Sequence, residues 1–323
     1  MRGGDEILRI EGLCVYFYTY AGVVRAVEDL NLTIYRGETF ALVGETGCGK
    51  SVTMRAVLRL VPPPGRIVKG RIIFDGVDLL KLPEKEMRKI RGSKISMVFQ
   101  DPNTALDPLY TAGYQTAETI LAHRKVSKKS AWQRALELFK VVEIPEPKRR
   151  LRAYPHELSG GMKQRVVTSI ALSLNPKLLI ADEPTTALDV TIQAQILELL
   201  RDLQRKYGVT LVMITHNMGV VADMADRVAV MYAGSVVEVA DVYELFGNPL
   251  HPYTKGLLRA IPSLTSRNER LQSIPGTVPN MIRPPPGCKF HPRCEYAMDV
   301  CKRERPRMID MGKGHLVACH LYS

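Results

Sequence analysis

A strand followed by a glycine-rich loop and a helix constrains the fold of this chain more than any other feature. The apolar run "TFALV", residues 39–43, is typical of a buried strand and leads directly into "GETGCGKS", residues 44–51. This loop fits the pattern G-x-x-x-x-G-K-[ST], and the segment after it has the spacing of a helix. Glycines let the backbone N–H groups of such a loop surround a phosphate, and the helix N-terminus adds a favourable dipole. The sequence therefore predicts an α/β fold with a phosphate-binding loop.

The residues of this loop make up the first part of a predicted nucleotide site. We expect Lys50 to reach the β- and γ-phosphates and Ser51 to ligate Mg²⁺. Cys48 stands where a small residue is needed, and packing is its simplest role. The loop residues expected to contact the nucleotide are Gly44, Glu45, Thr46, Gly47, Cys48, Gly49, Lys50, Ser51 and Val52.

Two acidic residues follow a later apolar run, "LLIADE", residues 178–183. Acidic residues often merely end a strand, but a phosphate-binding loop needs a second Mg²⁺ partner at such a strand end. We expect Asp182 to hold Mg²⁺ or its water. The next residue, Glu183, can polarise an attacking water as a general base.

The order of apolar runs predicts the organisation of the chain. Apolar strands alternate with helical segments, which favours a parallel or mixed sheet covered by helices on both faces. Helical spacing dominates from about Thr111 to Ile144, so residues 101–165 are predicted to be a helical insertion. Beyond residue 245 the chain is rich in Pro, Arg and Cys and only weakly periodic. We therefore expect a nucleotide-binding domain at residues 1–245 and a small Cys-rich domain at residues 246–323.

Length, hydropathy and charge restrict the class of protein. The 323 residues are enough for two domains, and no apolar run approaches the roughly 18 residues typical of a membrane-spanning helix. The first residues lack the apolar core of a secretory signal, so we expect a cytosolic protein. A net charge of +12 allows nucleic acid, phosphorylated ligands or an anionic membrane as partners. Between Arg124 and Arg152, ten Lys/Arg against three Glu form either a solvated helical face or a docking surface.

The stretch "LSGGMKQR", Leu158–Arg165, resembles the signature sequence of ATP-binding-cassette (ABC) ATPases, with Lys163 where Arg is common. Together with the glycine loop, the resemblance implies the ABC-type nucleotide-binding fold, with ATP and Mg²⁺ as its ligands. It also implies a second phosphate-binding helix N-terminus at Ser159, Gly160 and Gly161. In this family that N-terminus caps the γ-phosphate bound by the facing subunit of a head-to-tail dimer.

Other landmarks of the ABC family occur in the expected order. Gln100 matches the residue that senses Mg²⁺ and contacts the membrane subunit, and residues 187–189, "ALD", match a loop at the dimer interface. His216 matches the switch histidine that contacts the γ-phosphate. The resemblance thus implies Glu183, His216 and Gln100 as the catalytic set.

An aromatic residue early in such a chain is expected to stack on adenine. The stretch "VYFYTY" offers three candidates. Register favours Phe17, with Tyr16 and Tyr18 as the alternatives.

Segments outside the core motifs resemble one branch of the ABC family, the oligopeptide/dipeptide importer ATPases. They are "FQDPNTALDPLYTAGYQ" after Gln100, "NPLHPYTKGLLRAIPSL" and "PPGCKFHPRC". The resemblance implies a peripheral protein on the cytoplasmic side of the membrane, with two membrane permease subunits and a second ABC ATPase subunit as partners. An external substrate-binding protein would act indirectly, and no nucleic acid is expected. Di- or oligopeptides are the expected cargo, with nickel, glutathione or oligosaccharides as alternatives; a soluble ABC ATPase acting on ribosomes or nucleic acid is a distant rival.

Four cysteines near the C-terminus form a candidate metal site. The spacing is Cys288-x5-Cys294-x6-Cys301-x17-Cys319. A cytosolic location disfavours disulfides, and zinc sites usually contain close C-x2-C pairs, which are missing here. Four cysteines suit a [4Fe–4S] cluster, which the importer resemblance also implies, while zinc stays open as the alternative. The basic residues around them would favour thiolates, and the cluster would either staple the segment or regulate the protein.

Overall fold

The computed structural model of the chain describes residues 5–185, 190–260 and 274–323. The strands are β1 Glu6–Thr19, β2 Gly22–Tyr35, β3 Thr39–Val43, β4 Gly65–Phe74, β5 Val77–Asp78, β6 Ile95–Val98, β7 Leu178–Asp182, β8 Thr210–Thr215, β9 Arg227–Tyr232, β10 Ser235–Asp241, β11 Ile309–Asp310 and β12 Leu316–Val317. Every residue of β3, β6, β7 and β8 is buried, as expected for the apolar runs in the sequence.

Helices separate most of these strands. They are α1 Lys50–Val57, α2 Glu84–Ile90, α3 Pro102–Ala105, α4 Ala112–His123, α5 Lys128–Val141, α6 Pro147–Arg150, α7 Gly160–Leu172, α8 Val190–Tyr207, α9 Met218–Met224, α10 Val242–Gly247 and α11 Pro252–Arg259. Side chains of Thr111, Ser127 and Ser159 accept N–H groups of the first turns of α4, α5 and α7. Such caps fix where each helix begins, because they satisfy backbone donors that have no partner within the helix.

The chain divides into two compact units, and unit 1 contains the described residues of Met1–Lys81 and Ile214–Ser323. It holds an antiparallel sheet of order β2-β1-β4-β5 and, in a second sheet, the neighbouring strands β11-β12-β10-β9-β3. In the second sheet β3 pairs with β9 in parallel, whereas β9 and β10 are antiparallel. Ala233 and Gly234 join β9 to β10 with φ of 44° and 81°, the conformation of a tight hairpin turn. This part of the sheet is therefore mixed.

One apolar cluster in unit 1 joins the second sheet to the C-terminal segment, the described residues of 246–323. Ala41 and Val43 of β3 and Tyr232 of β9 share it with Tyr253 of α11 and with Phe290. The ring centroids of Tyr232 and Phe290 are 5.1 Å apart in an edge-to-face arrangement. The C-terminal segment therefore buries its own apolar side chains against the nucleotide-binding sheet.

Unit 2, Leu82–Met213, contains the predicted helical insertion. Helices α4 and α5 confirm the helical spacing read from about residues 111–144. Arg165 of α7 links three elements, since its guanidinium donates to the carbonyl of Val142, at 2.6 Å, and to Oε1 of Gln195 on α8, at 3.0 Å. The strands β6 and β7 are parallel neighbours in this unit, with Val98 opposite Ala181.

Some elements differ from the sequence expectation. The chain before the glycine loop forms two long strands of 14 residues each, β1 and β2, which is longer than the short apolar runs seen elsewhere in the sequence. Helix α11 lies in the region expected to be weakly periodic, and its eight residues are too few to show a full apolar stripe. Within the described ranges, no helix combines the length and the apolar character needed to cross a membrane.

Candidate functional site

The glycine loop lies between β3 and α1 in unit 1, as the sequence predicts. Gly44 has φ 149°, and a Cβ there would lie 2.1 Å from the carbonyl oxygen of Met231. Gly49, with φ 104°, caps α1, and a Cβ there would lie 2.5 Å from the carbonyl oxygen of Ala26. Only glycine fits at these two positions, because any side chain would collide with backbone atoms. The loop geometry therefore depends on both glycines.

The other loop residues range from buried to exposed. Thr46 and Gly47 are exposed at the tip, Ser51 and Val52 are half-buried in the first turn of α1, and Cys48 is buried. Burial raises the pKa of the Cys48 thiol, and the nearby Lys50 opposes this effect only in part. Cys48 is thus a neutral packing residue.

Lys50 folds back over the loop that precedes it. Its Nζ donates to the carbonyl oxygens of Gly44 at 2.7 Å and Glu45 at 3.0 Å, and it lies 3.7 Å from Sγ of Cys48. The side chain is buried, so these acceptors replace the water that an ammonium group otherwise needs. A phosphate bound in the loop would compete with these carbonyls for the ammonium.

Glu45 connects this loop to the C-terminal segment. Its carboxylate accepts two hydrogen bonds from the guanidinium of Arg293, at 2.7 and 3.0 Å. Its backbone N–H donates to the hydroxyl of Tyr253, at 2.9 Å. Sequence reasoning named Glu45 only as a loop residue and missed both partners, although each lies in a segment that carries the importer resemblance.

Gln100, Asp182 and Glu183 come together at one edge of the sheet in unit 2. Gln100 lies just beyond β6, and the two acidic residues end or follow β7, whose parallel pairing with β6 puts their carboxyl ends side by side. The amide Nε2 of Gln100 donates to Oε2 of Glu183 at 2.9 Å. Asp182 is fully buried, and Glu183 has φ 45°, a left-handed conformation that non-glycine residues seldom adopt. Two of the three predicted catalytic residues are therefore in direct contact.

The predicted signature residues lie at the start of α7 in unit 2. The Ser159 hydroxyl caps the helix by accepting the N–H of Met162 at 3.3 Å. Ser159 and Gly160 are exposed, and Gly161 is half-buried against the side chain of Ile192. The helix N-terminus is therefore accessible to a ligand from outside this unit, and a helix N-terminus favours anions.

Two motif regions remain, His216 and residues 187–189. His216 is exposed directly after β8, where Asn217 caps α9. The dimer-interface match "ALD", residues 187–189, lies outside the described residues.

The three aromatic candidates for adenine lie near the end of β1. Phe17 is half-buried, and its ring lies over Gly65 of β4, where a Cβ would approach it to 2.7 Å. Tyr16 and Tyr18 point to the opposite face of the strand. Arginine side chains accompany these two, with Arg25 at 6.0 Å from the Tyr16 ring and Arg66 at 5.6 Å from the Tyr18 ring. The choice of Phe17 stays a prediction.

The C-terminal cysteines are four free thiols. Burial first, and then the neighbouring thiols, raise the pKa of Cys288 to about 11, and the pKa values of Cys294 and Cys319 are raised in the same way. The expectation that basic neighbours favour thiolates is therefore wrong for Cys288, Cys294 and Cys319, because burial of these thiols outweighs the surrounding charge. Within the described residues, no group of three or more His, Cys, Asp or Glu side chains is arranged to hold a metal ion.

Comparisons with known proteins agree with this geometry. The family model "ABC transporter" matches residues 27–186, and the model "Oligopeptide/dipeptide transporter, C-terminal region" matches residues 237–301. A dipeptide transport ATP-binding protein of Bacillus subtilis is 51% identical, over 98% of this chain and 95% of the relative. The oligopeptide counterpart from the same organism is also 51% identical, over 97% of this chain and 88% of the relative. A dipeptide transport ATP-binding protein of Escherichia coli is 47% identical, over 97% of this chain and 96% of the relative.

Solved structures show the same fold. The ATP-binding cassette MJ0796, a dimer in a post-hydrolysis state with ADP and phosphate, matches with a TM-score of 0.66 at 31% identity. The match covers 73% of this chain and 99% of that cassette. The mixed sheet, its surrounding helices and the glycine loop before α1 are thus those of an ABC-type ATPase. The chain belongs to the family of ATP-binding subunits of oligopeptide/dipeptide ABC transporters, and its activity is ATP hydrolysis.

Proposed function

We propose that this chain is the ATP-hydrolysing subunit of an importer for dipeptides or oligopeptides. The observation that carries the proposal is the 51% identity, across nearly the whole chain, to a dipeptide transport ATP-binding protein. The match to the oligopeptide/dipeptide C-terminal region supports it independently of the nucleotide motifs, which all ABC ATPases share.

The glycine loop and the acidic residues at the end of β7 are proposed to have separate roles in ATP hydrolysis. Gly44–Ser51 bind the phosphates through backbone N–H groups, and Lys50 leaves its loop carbonyls to neutralise the β- and γ-phosphates. Ser51, Gln100 and Asp182 offer the hydroxyl, amide and carboxylate oxygens that suit Mg²⁺. When bound, Mg²⁺ would neutralise charge that develops on the phosphates.

Glu183 is proposed to be the general base that takes a proton from the attacking water. The hydrogen bond from Gln100 holds its carboxylate in place, which supports this role. His216 is proposed to contact the γ-phosphate. Phe17 is proposed to stack on the adenine, and this chain would supply one half of the nucleotide site.

The other half is proposed to come from a second cassette subunit. Ser159, Gly160 and Gly161 of the facing chain would bind the γ-phosphate, and the exposed start of α7 supports this head-to-tail arrangement. The dimeric form of the similar MJ0796 cassette agrees with it. Closure of such a dimer on ATP and its opening after hydrolysis would drive the transport cycle.

Two membrane permease subunits are the proposed targets of this motion. The chain would lie at the cytoplasmic side of the membrane as a peripheral subunit, fed by an external binding protein. The helical insertion, residues 101–165, is the proposed docking part, and most of its Lys and Arg side chains between residues 124 and 152 are exposed. The division at residue 245 stays a proposal, since residues on both sides of it share the core of unit 1.

Reconstituted transport tests the proposal. Proteoliposomes containing the chain, its partner cassette and both membrane subunits should take up labelled dipeptide only with ATP and the binding protein. Uptake of nickel, glutathione or an oligosaccharide in place of peptide would reassign the cargo. Peptide uptake that does not depend on ATP would refute the proposal.

We also propose that Cys288, Cys294, Cys301 and Cys319 hold a [4Fe–4S] cluster that staples the C-terminal segment. Its support is the occurrence of four free cysteines, two of them buried, within one short segment; an iron–sulfur cluster is larger than a single ion and accepts more widely spaced thiolates. Zinc would need its thiolates about 2.3 Å from a single point, so it stays the second choice.

Replacing Cys294 with Ser tests whether a bound cluster stabilises the C-terminal segment. The variant Cys294→Ser is expected to lose bound iron after anaerobic purification and to unfold at least about 5 °C lower, because a bound cluster contributes to folding. Iron analysis and calorimetry measure both quantities. Cys14→Ser, in β1, is the matched control and should keep its iron. Unchanged iron and unchanged unfolding temperature in Cys294→Ser would exclude a ligand role.

A further inference from the structure

Arg293 is a buried arginine with every nitrogen of its guanidinium engaged. Its side chain is only 5% exposed. Two nitrogens donate to the Glu45 carboxylate, while Nε donates to the carbonyl of Pro275 at 2.8 Å. Two parallel hydrogen bonds fix the orientation of the carboxylate as well as neutralise its charge, because the planar guanidinium matches a carboxylate in one arrangement. Arg293 therefore fixes where the Glu45 side chain lies.

Tyr253 fixes the backbone of the same residue. Its hydroxyl accepts the N–H of Glu45, and the ring is fully buried. The start of α11 is itself anchored, because Nδ1 of His251 accepts the N–H of Tyr253 at 3.0 Å and Glu238 accepts the N–H of His251 at 2.9 Å. Burial lowers the pKa of His251 to about 3, so this imidazole stays a neutral acceptor at physiological pH. The Tyr253 hydroxyl is therefore held in place, and its hydrogen bond with the N–H of Glu45 positions the loop backbone.

The third polar group of Glu45 faces the phosphate-binding lysine. Its carbonyl accepts the Lys50 ammonium at 3.0 Å. Side chain, N–H and carbonyl of Glu45 thus join Arg293, Tyr253 and Lys50. A shift of Glu45 would move the carbonyl on which the ammonium rests and would alter the loop that must receive the phosphates.

The position of Arg293 depends on the segment that carries the cysteines. It ends a short 3₁₀ helix, His291–Arg293, and its N–H donates to the carbonyl of Phe290 at 2.9 Å. The Phe290 ring packs against both Tyr232 and Tyr253. The guanidinium and the tyrosine that hold the loop are therefore parts of one packed group.

We infer that Arg293 and Tyr253 are positioning residues for ATP binding, which hold the Glu45 end of the glycine loop in the shape that accepts the phosphates. They do not touch the nucleotide. They act through Glu45, and their effect is on the affinity for MgATP rather than on the chemical step. This inference rests on the proposed binding of ATP at the Gly44–Ser51 loop.

The test compares MgATP affinity and steady-state kinetics in full-length variants. Arg293→Ala is expected to raise the Kd and KM for MgATP about tenfold with kcat nearly unchanged, the pattern of lost binding rather than lost catalysis. Arg293→Lys keeps the positive charge but cannot form the two parallel hydrogen bonds, so its affinity for MgATP should lie between those of Arg293→Ala and the wild type. Arg283→Ala, at an exposed arginine of the same segment, is the matched control and should bind as the wild type.

Two further variants keep the test decisive if Arg293→Ala does not fold. Tyr253→Phe removes only the hydroxyl and should weaken MgATP binding about threefold. Glu45→Gln combined with Arg293→Lys should lose less affinity than the sum of the single changes, because the two residues act through one contact. A lower unfolding temperature with unchanged Kd in all of these variants would show a purely structural role and overturn the inference. Failure of the wild type itself to bind MgATP would instead refute the proposed function.

Discussion

The variant Glu183→Gln is expected to bind MgATP like the wild type and to hydrolyse it about 10³-fold more slowly. An amide cannot take a proton from the attacking water, yet its oxygen can still accept the hydrogen bond that Gln100 gives to the carboxylate. The substitution therefore removes the proposed base while preserving the local contact. Phosphate release at saturating ATP, measured beside equilibrium binding of a fluorescent ATP analogue, separates the two effects.

A control at a different glutamate shows whether the loss is specific to this position. Glu198→Gln removes an exposed carboxylate of α8 that is paired with Arg201 at 2.9 Å, and it should leave turnover unchanged. If Glu183→Gln releases phosphate at close to the normal rate, the assignment of Glu183 as general base is wrong.

The second large effect is expected at Lys50. Lys50→Met should weaken MgATP binding about 100-fold or more, because it removes the buried charge that we propose neutralises the phosphates. Methionine keeps most of the apolar stem, so the packing of α1 is retained. Titration calorimetry measures the Kd, and thermal unfolding checks that the variant is folded.

Lys85→Met, at an exposed position of α2, is the matched control and should bind nucleotide normally. The Lys50 ammonium donates hydrogen bonds to the carbonyls of Gly44 and Glu45, so we expect its loss to loosen the loop as well. Wild-type affinity in Lys50→Met would contradict the role given to the lysine in any case.

Local sequence patterns predicted the elements that carry the motifs, because those elements obey local rules. The apolar run of residues 39–43 is a buried strand, and the glycine loop opens a helix at Lys50. The prediction that Gln100 and Glu183 act together is supported by their contact, which follows from the parallel pairing of two strands recognisable by their composition. The hairpin between β9 and β10 was harder to anticipate, since Ala233 adopts a positive φ without being glycine or asparagine.

The amino-acid order alone was enough to establish the class of this protein, because phosphate binding needs contiguous residues with strict local geometry. It could not reveal that Arg293 and Tyr253 hold the glycine loop. These residues lie more than 200 positions from Glu45, and their contacts arise from shared burial in one core, which leaves no periodic trace along the chain. In sequence the C-terminal segment resembles a separate cysteine-rich module. Folding turns it into part of the support for the nucleotide loop, because its buried guanidinium pairs with the Glu45 carboxylate on that loop.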